Sequence, residues 1–209
     1  LIALTIDEGD ELAWVRMTDG YQRLIVATRG GMAICFDEND ARVVGRAARG
    51  VKAITLDEGD EVVGMSIRRE GGLLLTVTET GYGRLSELTD YRIQSRGGKG
   101  LTNYHTAEYG DVAGIKVVDP EDDVILISSE GIIIRMQACE IRLCRRPSKG
   151  VRVMRVEEGD RIVSLARMPH EEEQPEEEST EEAGESAVPD ADEAPAGAPK
   201  AEEPSQPET

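Results

Sequence analysis

The segment best suited to bind a ligand is residues 94–100, QSRGGKG, in which two cations and three glycines stand within seven positions. Arg96 and Lys99 suit phosphate oxygens, because a guanidinium offers a planar fork of donors and an ammonium offers a compact charge. Glycine has no Cβ, so the backbone can bend closely around a bound group and leave its N–H groups accessible. These residue types indicate binding of a phosphate-rich anion rather than a reaction on it.

The same basic-glycine signal returns at a fixed interval along the chain. Arg49-Gly50 lies 50 residues before Lys99-Gly100, and Lys149-Gly150 lies 50 residues after it. Each pair stands in a stretch without acidic residues, and we name these stretches the first corner (residues 46–52), the second corner (92–99) and the third corner (145–152). The candidate binding residues are the cations of the three corners: Arg46, Arg49, Lys52, Arg92, Arg96, Lys99, Arg145, Arg146, Lys149 and Arg152.

The net charge of the chain, −18 at pH 7, by itself disfavours a nucleic-acid partner. Of the 42 acidic and 24 basic side chains, however, 15 and one lie in residues 170–209, which leaves 27 and 23 in residues 1–169. If the corners lie along one rim, they form a curved cationic track that binds duplex DNA by releasing counterions, without reading bases. The alternative is that each corner is a solvated loop whose glycine takes a left-handed turn.

The corners are positioned by a repeat of about 50 residues that is rich in strand signals. Each unit opens with an acidic glycine turn, then has an apolar run, a hairpin with a glycine turn, and a corner that leads into a short strand. The opening turns are residues 7–10, 57–60, 108–111 and 157–160, and the third is displaced by one residue. The predicted strands are the runs 11–17, 62–67, 112–118 and 162–168, the hairpins 24–36, 73–88 and 124–136, and the short strands 51–56, 101–105 and 151–156.

About four strands per unit and almost no helix predict an all-β fold. Such a unit cannot bury both of its own faces, so the units must pack side by side, as the four-stranded blades of a propeller or as a linear stack. Residues 1–169 hold three units and part of a fourth, so the ring is incomplete; the sequence starts in mid-pattern, and we expect a missing N-terminal portion. Residues 170–209 have Val188 as their one large aliphatic side chain and are predicted to form a disordered acidic tail.

The sequence does not indicate a catalytic site. Its two histidines are His105, at a predicted strand position, and His170, in the acidic tail. Acidic pairs such as Asp57-Glu58 recur at equivalent turns, which is typical of solvated turn residues rather than of a catalytic dyad. No phosphate loop, dinucleotide fingerprint or nucleophile elbow is present. We therefore predict no catalytic residue.

Metal binding and membrane insertion are not indicated either. Cys35, Cys139 and Cys144 form no paired framework, so we expect free thiols in a reducing compartment. Cys139 and Cys144 lack a second cysteine pair or a nearby histidine to complete a zinc site, and we predict no metal. No apolar run approaches the about 20 residues of a membrane span, and no signal peptide is evident, so we expect no membrane partner.

The unit that ends in residues 94–100 closely resembles part of a known family. Its sequence runs from Gly81-Tyr82-Gly83-Arg84 through Tyr91-Arg92 to the glycine-rich segment. Together with residues 45–52, 150–152 and 159–160, it is similar to the C-terminal DNA-wrapping domain of the DNA gyrase A protein, over residues 1–168. Residues 94–100 look like the gyrase-A box of that family, with Ser95 in place of a basic residue. We interpret them as a box-like corner of a late blade, with the box of the first blade in the missing part.

The resemblance implies a six-bladed β-pinwheel, a propeller relative whose blades exchange strands, with residues 1–169 as its last three-plus blades. It implies double-stranded DNA wrapped around the rim, in support of ATP-dependent negative supercoiling by a type II topoisomerase in the bacterial cytoplasm, at the nucleoid. The catalytic tyrosine would lie upstream, and ATP and magnesium, implied for the whole enzyme, would bind elsewhere. The gyrase B protein and a second gyrase A protein would join through the missing N-terminal part, as an A2B2 assembly.

Two alternatives remain open. Within the family, the corresponding protein of topoisomerase IV carries a similar C-terminal pinwheel. Outside the family, a propeller-type module without enzymatic function would bind proteins instead of DNA. A steep loss of DNA affinity with rising salt favours a wrapping rim, whereas no binding at low salt favours the interaction module.

Overall fold

The computed structural model describes residues 4–169, and these form β-sheets with only short helical turns. The strands are β1 (Arg23–Thr28), β2 (Met32–Asp37), β3 (Val62–Arg68), β4 (Leu73–Thr78), β5 (Tyr82–Glu87), β6 (Leu101–Thr102), β7 (Val112–Val118), β8 (Asp123–Ser128), β9 (Ile133–Gln137), β10 (Val151–Arg152) and β11 (Ile162–Met168). The helical turns are α1 (Thr106–Tyr109) and the 3-10 turns Glu38–Asp40, Leu88–Asp90 and Ala138–Glu140. The all-β prediction is confirmed.

Three antiparallel sheets form, each around one predicted hairpin. The strand orders are β3-β1-β2-β6 in sheet one, β10-β5-β4-β7 in sheet two and β11-β8-β9 in sheet three. Gly31, Gly81 and Gly131 close the three hairpins with φ angles of 85°, 86° and 81°. Such left-handed positions suit glycine, so the turn signals in the sequence set the hairpins locally.

Each complete sheet combines strands from successive sequence units. β3, which opens the second unit, pairs with β1, and β7 pairs with β4 in the same way. β6 follows the second hairpin but crosses back to sheet one, where Leu101 pairs with Ala33. β10 likewise returns to sheet two, where Val151 pairs with Gly83. The strand exchange that the resemblance implied is present, and the four-strand sequence unit is offset from the four-stranded sheet.

The first and last repeats of the described chain lack these exchanged strands. Residues 11–17 and 51–56 form no strand, so the prediction of strands there is wrong. In later units the equivalent runs pair with the preceding hairpin, and no hairpin precedes β1 among residues 4–22. At the other end, β9 has no fourth strand beside it among the described residues. Ile133 of β9 is consequently 63% exposed, whereas its repeat equivalents Ala33 and Gly83 are buried.

The sheets pack against each other through the strands β3, β7 and β11. A Cβ on Gly64 of β3 would lie 2.6 Å from the Ile115 side chain of β7. A Cβ on Gly114 of β7 would lie even closer to the Leu165 side chain of β11. Glycine at these equivalent positions therefore lets neighbouring strands approach. Aliphatic side chains fill the spaces between sheets. One buried cluster contains Ile25 of β1 and Leu74 of β4, and another contains Leu75 of β4 and Leu126 of β8.

The displaced third opening turn is a helical turn. Gly110 N–H donates to the Thr106 carbonyl at 2.9 Å and closes α1, which is consistent with the small insertion expected there. His105, predicted at a strand position, is instead exposed and directly precedes α1, so that prediction is wrong.

The remaining expectations concern the tail and the membrane. Residues 170–209, the predicted disordered tail, lie outside the described residues. Within residues 4–169, no helix has the length and apolar character needed to cross a bilayer.

Candidate nucleic-acid interface

The second and third corners are loops pinned at both ends to the outer strand of a sheet. Before the second corner turns outward, Gln94 N–H donates to the Cys35 carbonyl of β2 at 2.8 Å. After it, β6 returns antiparallel along β2. The third corner repeats this on β5, where Leu143 bridges Leu85 and β10 returns. Because both ends are fixed, the loop between them is held at the rim of its sheet.

Glycine is required where each loop turns back toward its sheet. Gly100 and Gly150 have φ angles of 79° and 75°, and a Cβ on either would collide with a backbone carbonyl oxygen of β2 or β5. Gly50 has a similar φ of 76° but no atom within 4 Å, because no sheet lies beside the first corner. The left-handed turns expected at these glycines are present. They fit both the binding interpretation and the solvated-loop interpretation.

The second and third corners are each hydrogen-bonded to the segment that follows the preceding corner. Gly97 N–H of the second corner donates to the Ala53 carbonyl, just beyond the first corner, at 2.6 Å. The Tyr104 hydroxyl, just beyond the second corner, donates to the Lys149 carbonyl of the third. The three corners therefore follow one another in chain order along one series of contacts.

Arg96 and Arg146 fasten the corners to the preceding repeat. Arg96 donates from Nε to the Asp40 carbonyl at 2.7 Å and from NH1 to the Lys52 carbonyl at 3.2 Å. Arg146 makes the two equivalent bonds 50 residues later, at 3.0 and 2.6 Å. Both arginines are half-buried, whereas the other eight candidate residues are exposed. Arg96 and Arg146 thus position the loops and present only part of their guanidinium groups.

Two corners pair their glycine-flanking cation with an aspartate. Lys99 Nζ lies 2.6 Å from Asp57 Oδ1, and Arg49 NH1 lies 3.4 Å from Asp7 Oδ1. Each aspartate belongs to the opening turn 42 residues before the cation. At the third corner the position 42 residues before Lys149 is Ala107, because the acidic turn is displaced by one residue and begins at Glu108, within α1.

Lys149 contacts tyrosine rings instead. Its Nζ lies 4.3 Å from the ring centre of Tyr82 and 5.3 Å from that of Tyr109. Arg152 donates to the Tyr82 hydroxyl at 2.9 Å. The hydrogen bonds from Arg152 and then from Lys149 lower the pKa of Tyr82 below its ordinary value. A cation–π contact holds an ammonium in place without neutralising its charge.

Arg84 is a structural part of this interface that the candidate set lacked. Its side chain is fully buried and donates at 3.0 Å to both the Ser148 carbonyl and Asn103 Oδ1, and it lies 5.2 Å from the Tyr104 ring centre. It therefore joins the strand that leaves the second corner to the loop of the third. The sequence repeat could have identified Arg84, because its equivalents at positions 34 and 134 are both isoleucine. An arginine at a position that is otherwise apolar needs specific hydrogen-bond partners.

A groove of about 640 Å³ on the third corner carries one further cation, Arg142. It is lined by His105, Arg142, Arg145, Arg146 and Lys149, and by no acidic residue. Arg142 and His105 were not among the candidates. The 50-residue repeat could have identified Arg142, because Arg42 and Arg92 stand 100 and 50 residues before it.

The acidic turns anchor the hairpins. Asp60 Oδ1 accepts from Gly30 N–H at 2.7 Å, and Asp160 Oδ1 accepts from Ser129 Oγ at 2.7 Å. Desolvation alone would raise the pKa of Asp160, but its hydrogen bonds, led by Ser129, lower that pKa to about 2. The recurring turn aspartates thus have a structural role. Among residues 4–169, no group of three or more His, Cys, Asp or Glu side chains is arranged to hold a metal ion.

Comparison with known sequences identifies the family. A family model described as DNA gyrase C-terminal domain, beta-propeller, matches residues 22–67, 72–119 and 122–167, which is more than half of the chain. The chain belongs to the DNA gyrase C-terminal domain family. Each match in this gyrase domain contains one hairpin and the strand that pairs with its first strand, as in β1, β2 and β3.

Curated relatives of the gyrase domain extend beyond it. The chain is 55% identical over 184 residues to the DNA gyrase A protein of Halalkalibacterium halodurans, a match to 87% of the chain and 22% of the relative. It is 41% identical over 169 residues to the DNA gyrase A protein of Clostridium acetobutylicum, a match to 80% of the chain and 20% of the relative. The chain thus spans about a fifth of the length of these relatives.

Solved structures support the fold of the gyrase domain. The C-terminal domain of DNA topoisomerase IV matches with a TM-score of 0.76 and 26% identity, over 80% of this chain and 53% of that one. A DNA gyrase A C-terminal domain matches with a TM-score of 0.66 and 27% identity, over 70% of this chain and 50% of that one. The predicted pinwheel or propeller-like fold is confirmed.

Proposed function

We propose that this gyrase domain binds double-stranded DNA along the three corners and wraps it around their rim. The observation that carries the proposal is the order of the corners. Each later corner is hydrogen-bonded to the segment that follows the preceding one, and eight of the ten candidate cations are exposed. Cations presented in this order contact successive phosphates and release counterions. A duplex that follows more than one corner must bend toward the protein.

The pinned loops suit this task energetically. Smooth bending of 20–30 base pairs by 40–90° costs on the order of 1–6 kcal/mol, which several phosphate contacts must offset. Loops that are already held by backbone hydrogen bonds lose little conformational freedom when DNA binds. Arg96, Arg146 and the buried Arg84 supply that preorganisation from within the protein.

In the whole protein, the domain would present the wrapped segment to a DNA-cleavage core and so support ATP-dependent negative supercoiling by a type II topoisomerase. Its partners would be the gyrase B protein and a second gyrase A protein in an A2B2 assembly, with ATP and magnesium bound outside this chain, in the cytoplasm and at the nucleoid of a bacterium. The support for this wider role is the 55% identity to a DNA gyrase A protein.

A role in topoisomerase IV is the second candidate, because the matching C-terminal domain of that enzyme gives the higher TM-score, 0.76 against 0.66. The two solved domains are nearly equally distant in sequence, at 26% and 27% identity, so sequence distance to them does not separate the enzymes. The 55% identity to a gyrase A protein over 184 residues favours the gyrase assignment.

The test of DNA binding is the affinity of the full chain for a duplex as salt rises. Contact with six or more phosphates reduces affinity by about 10³-fold or more between about 50 and 200 mM salt. A loss of less than about tenfold contradicts a rim-length interface. No binding even at low salt would leave the protein-interaction module as the function.

Wrapping is tested separately from binding. The full chain is incubated with relaxed closed-circular DNA and a relaxing topoisomerase, and the DNA is then deproteinised and its linking number measured. Wrapping traps writhe and shifts the linking-number distribution in proportion to bound protein. A protein that binds without shifting the distribution does not wrap DNA.

A further inference from the structure

The three corners occupy equivalent repeat positions but differ in charge. The second corner carries Arg92, Arg96 and Lys99, and Asp57 lies 2.6 Å from Lys99. The first corner also carries three cations, of which Arg49 is paired with Asp7 at 3.4 Å. Arg42, at the repeat position of Arg92, adds a fourth cation beside the first corner. With it, the first corner keeps three cations in excess, and the second corner keeps two.

The third corner and its groove keep all of their positive charge. Their cations are Arg142, Arg145, Arg146, Lys149 and Arg152. Within residues 4–169, none of these five lies within 4.0 Å of a carboxylate oxygen. Glu108 stands next to Tyr109 and raises the pKa of its hydroxyl. Among residues 4–169, its carboxylate forms no ion pair with a cation of this corner.

A single substitution in the repeat adds to this difference. Arg145 occupies the position that is Gly45 in the first corner and Ser95 in the second. Its exposed side chain lies beside Arg146 and Lys149 in the groove. The third corner thus has two adjacent arginines where the box-like second corner has one.

We propose that the third corner is the principal phosphate-binding site of the rim, with Arg142, Arg145 and Lys149 as its main contacts. This rests on the proposed binding of duplex DNA. The first and second corners are weaker sites, because their own aspartates compete with DNA phosphate. An exposed ion pair is itself worth little, but an aspartate next to the site also repels an incoming phosphate. When Lys149 moves from its tyrosine contacts to a phosphate, it breaks no ion pair, so no unpaired carboxylate remains next to the phosphate.

The test compares the same substitution at repeat-equivalent positions of the full chain. Lys149→Gln is expected to weaken duplex binding by about tenfold at low salt and to reduce the salt slope by about one. Lys99→Gln is expected to weaken binding by about threefold or less, since Asp57 already holds that charge. Arg161→Gln, directly after the last opening turn, serves as the charge control. It removes an exposed arginine whose side chain makes no bond within the described residues. An equal or larger loss from Lys99→Gln overturns the proposal.

A gain of binding tests the masking by aspartate. Ser95→Arg combined with Asp57→Asn gives the second corner the adjacent arginines and the unpaired lysine of the third, though not Arg152, whose repeat equivalent is Thr102. The double variant is expected to tighten binding by about fivefold or more. Unchanged affinity overturns the masking argument. Arg145→Gln is a second loss variant, expected to match Lys149→Gln; its side chain bonds to nothing in the described chain, so the fold does not depend on it.

DNA binding and the ranking of the corners are tested by different outcomes. If the parent chain does not bind duplex DNA at low salt, the proposed function falls and this inference falls with it. If the parent binds and Lys149→Gln costs no more than the Arg161→Gln control, the DNA-binding function stands and only the ranking of the corners is wrong. Thermal unfolding followed by circular dichroism shows that each variant is folded at the temperature of the assay.

Discussion

Arg84 is the residue whose environment departs most from that of its repeat equivalents. Positions 34 and 134 hold isoleucine, while Arg84 is buried with its donors directed at Ser148 and Asn103. A buried cation without bonded acceptors costs several kcal/mol, so these carbonyl and amide oxygens are what make its burial possible. The arginine thereby joins the third corner to the segment that follows β6.

Arg84→Lys is expected to reduce the free energy of unfolding by about 2–4 kcal/mol, because a compact ammonium cannot reach all of the acceptors and leaves buried oxygens unpaired. Urea unfolding at neutral pH measures the change. The exposed Arg92→Lys is the control and should stay within about 0.5 kcal/mol of the parent. Equal effects of the two substitutions would mean that the Arg84 bonds contribute nothing to stability.

The glycines at the ends of the corners give a second prediction at this scale. Gly100→Ala and Gly150→Ala are expected to destabilise the fold by about 3 kcal/mol or more, because strain from a left-handed alanine adds to a clash with a backbone carbonyl. Gly50→Ala meets no atom within 4 Å and should cost only the strain, about 1–2 kcal/mol. Chemical denaturation of the three variants gives the ranking, and a Gly50 variant as unstable as the other two contradicts it.

Among the elements, the link between the second and third repeats is an ion cluster as well as a packed core. Arg167 of β11 donates to Asp122 Oδ1 at 2.8 Å, and Arg69, just after β3, donates to Asp119 Oδ2 at 2.9 Å. Asp122 is only 4% exposed. Burial by itself would raise the pKa of Asp122, but the hydrogen bonds from Arg167 and from Asp119 N–H lower it below its ordinary value.

Because the folded-state pKa of Asp122 is lowered, its contribution to stability is present above the unfolded pKa near 4 and is lost as pH falls through the folded pKa. Asp122→Asn is therefore expected to cost about 2–4 kcal/mol at pH 7 and less near pH 3, below the unfolded pKa. Urea unfolding of parent and variant at the two pH values measures this. Glu70→Gln, at an exposed position, should show no such dependence. The same deficit at both pH values would remove Asp122 as the titrating group.

At the scale of the whole molecule, strand exchange makes each sheet depend on the next repeat. The described chain therefore ends in one unfilled edge, at β9, and begins with runs that have no sheet to join. This arrangement also stacks the corners, because the strands that return to the preceding sheet carry them along its edge. The cationic order is thus a property of the array and not of any single repeat.

The acidic segment of the sequence gives the prediction that belongs to this scale. Residues 170–209 carry 15 acidic side chains and one lysine, and a tethered polyanion competes with DNA at a high effective concentration. Removal of residues 170–209 is expected to tighten duplex binding several-fold at low salt and to have little effect at high salt, where screening suppresses the competition. Affinity measured for both forms across salt decides it, and identical low-salt affinities would exclude competition.

The sequence alone is sufficient to predict the 50-residue period, the all-β class, the hairpins and the left-handed glycine turns. These follow from local chemistry, such as the positive φ that Gly81 supplies or the alternation of apolar residues in a strand. The same period located the cations of the corners. Residues 11–17 and 51–56 have the local pattern of strands but form none, because a strand also needs a neighbouring strand to pair with.

The sheet that each strand joins, and the cations that remain unpaired, are evident only from the folded structure. Lys99 and Lys149 occupy the same place in the repeat, yet one meets Asp57 and the other meets Tyr82. That difference depends on contacts between residues more than 40 positions apart. Pairing at such distances is set by how the repeats pack, which no local pattern encodes.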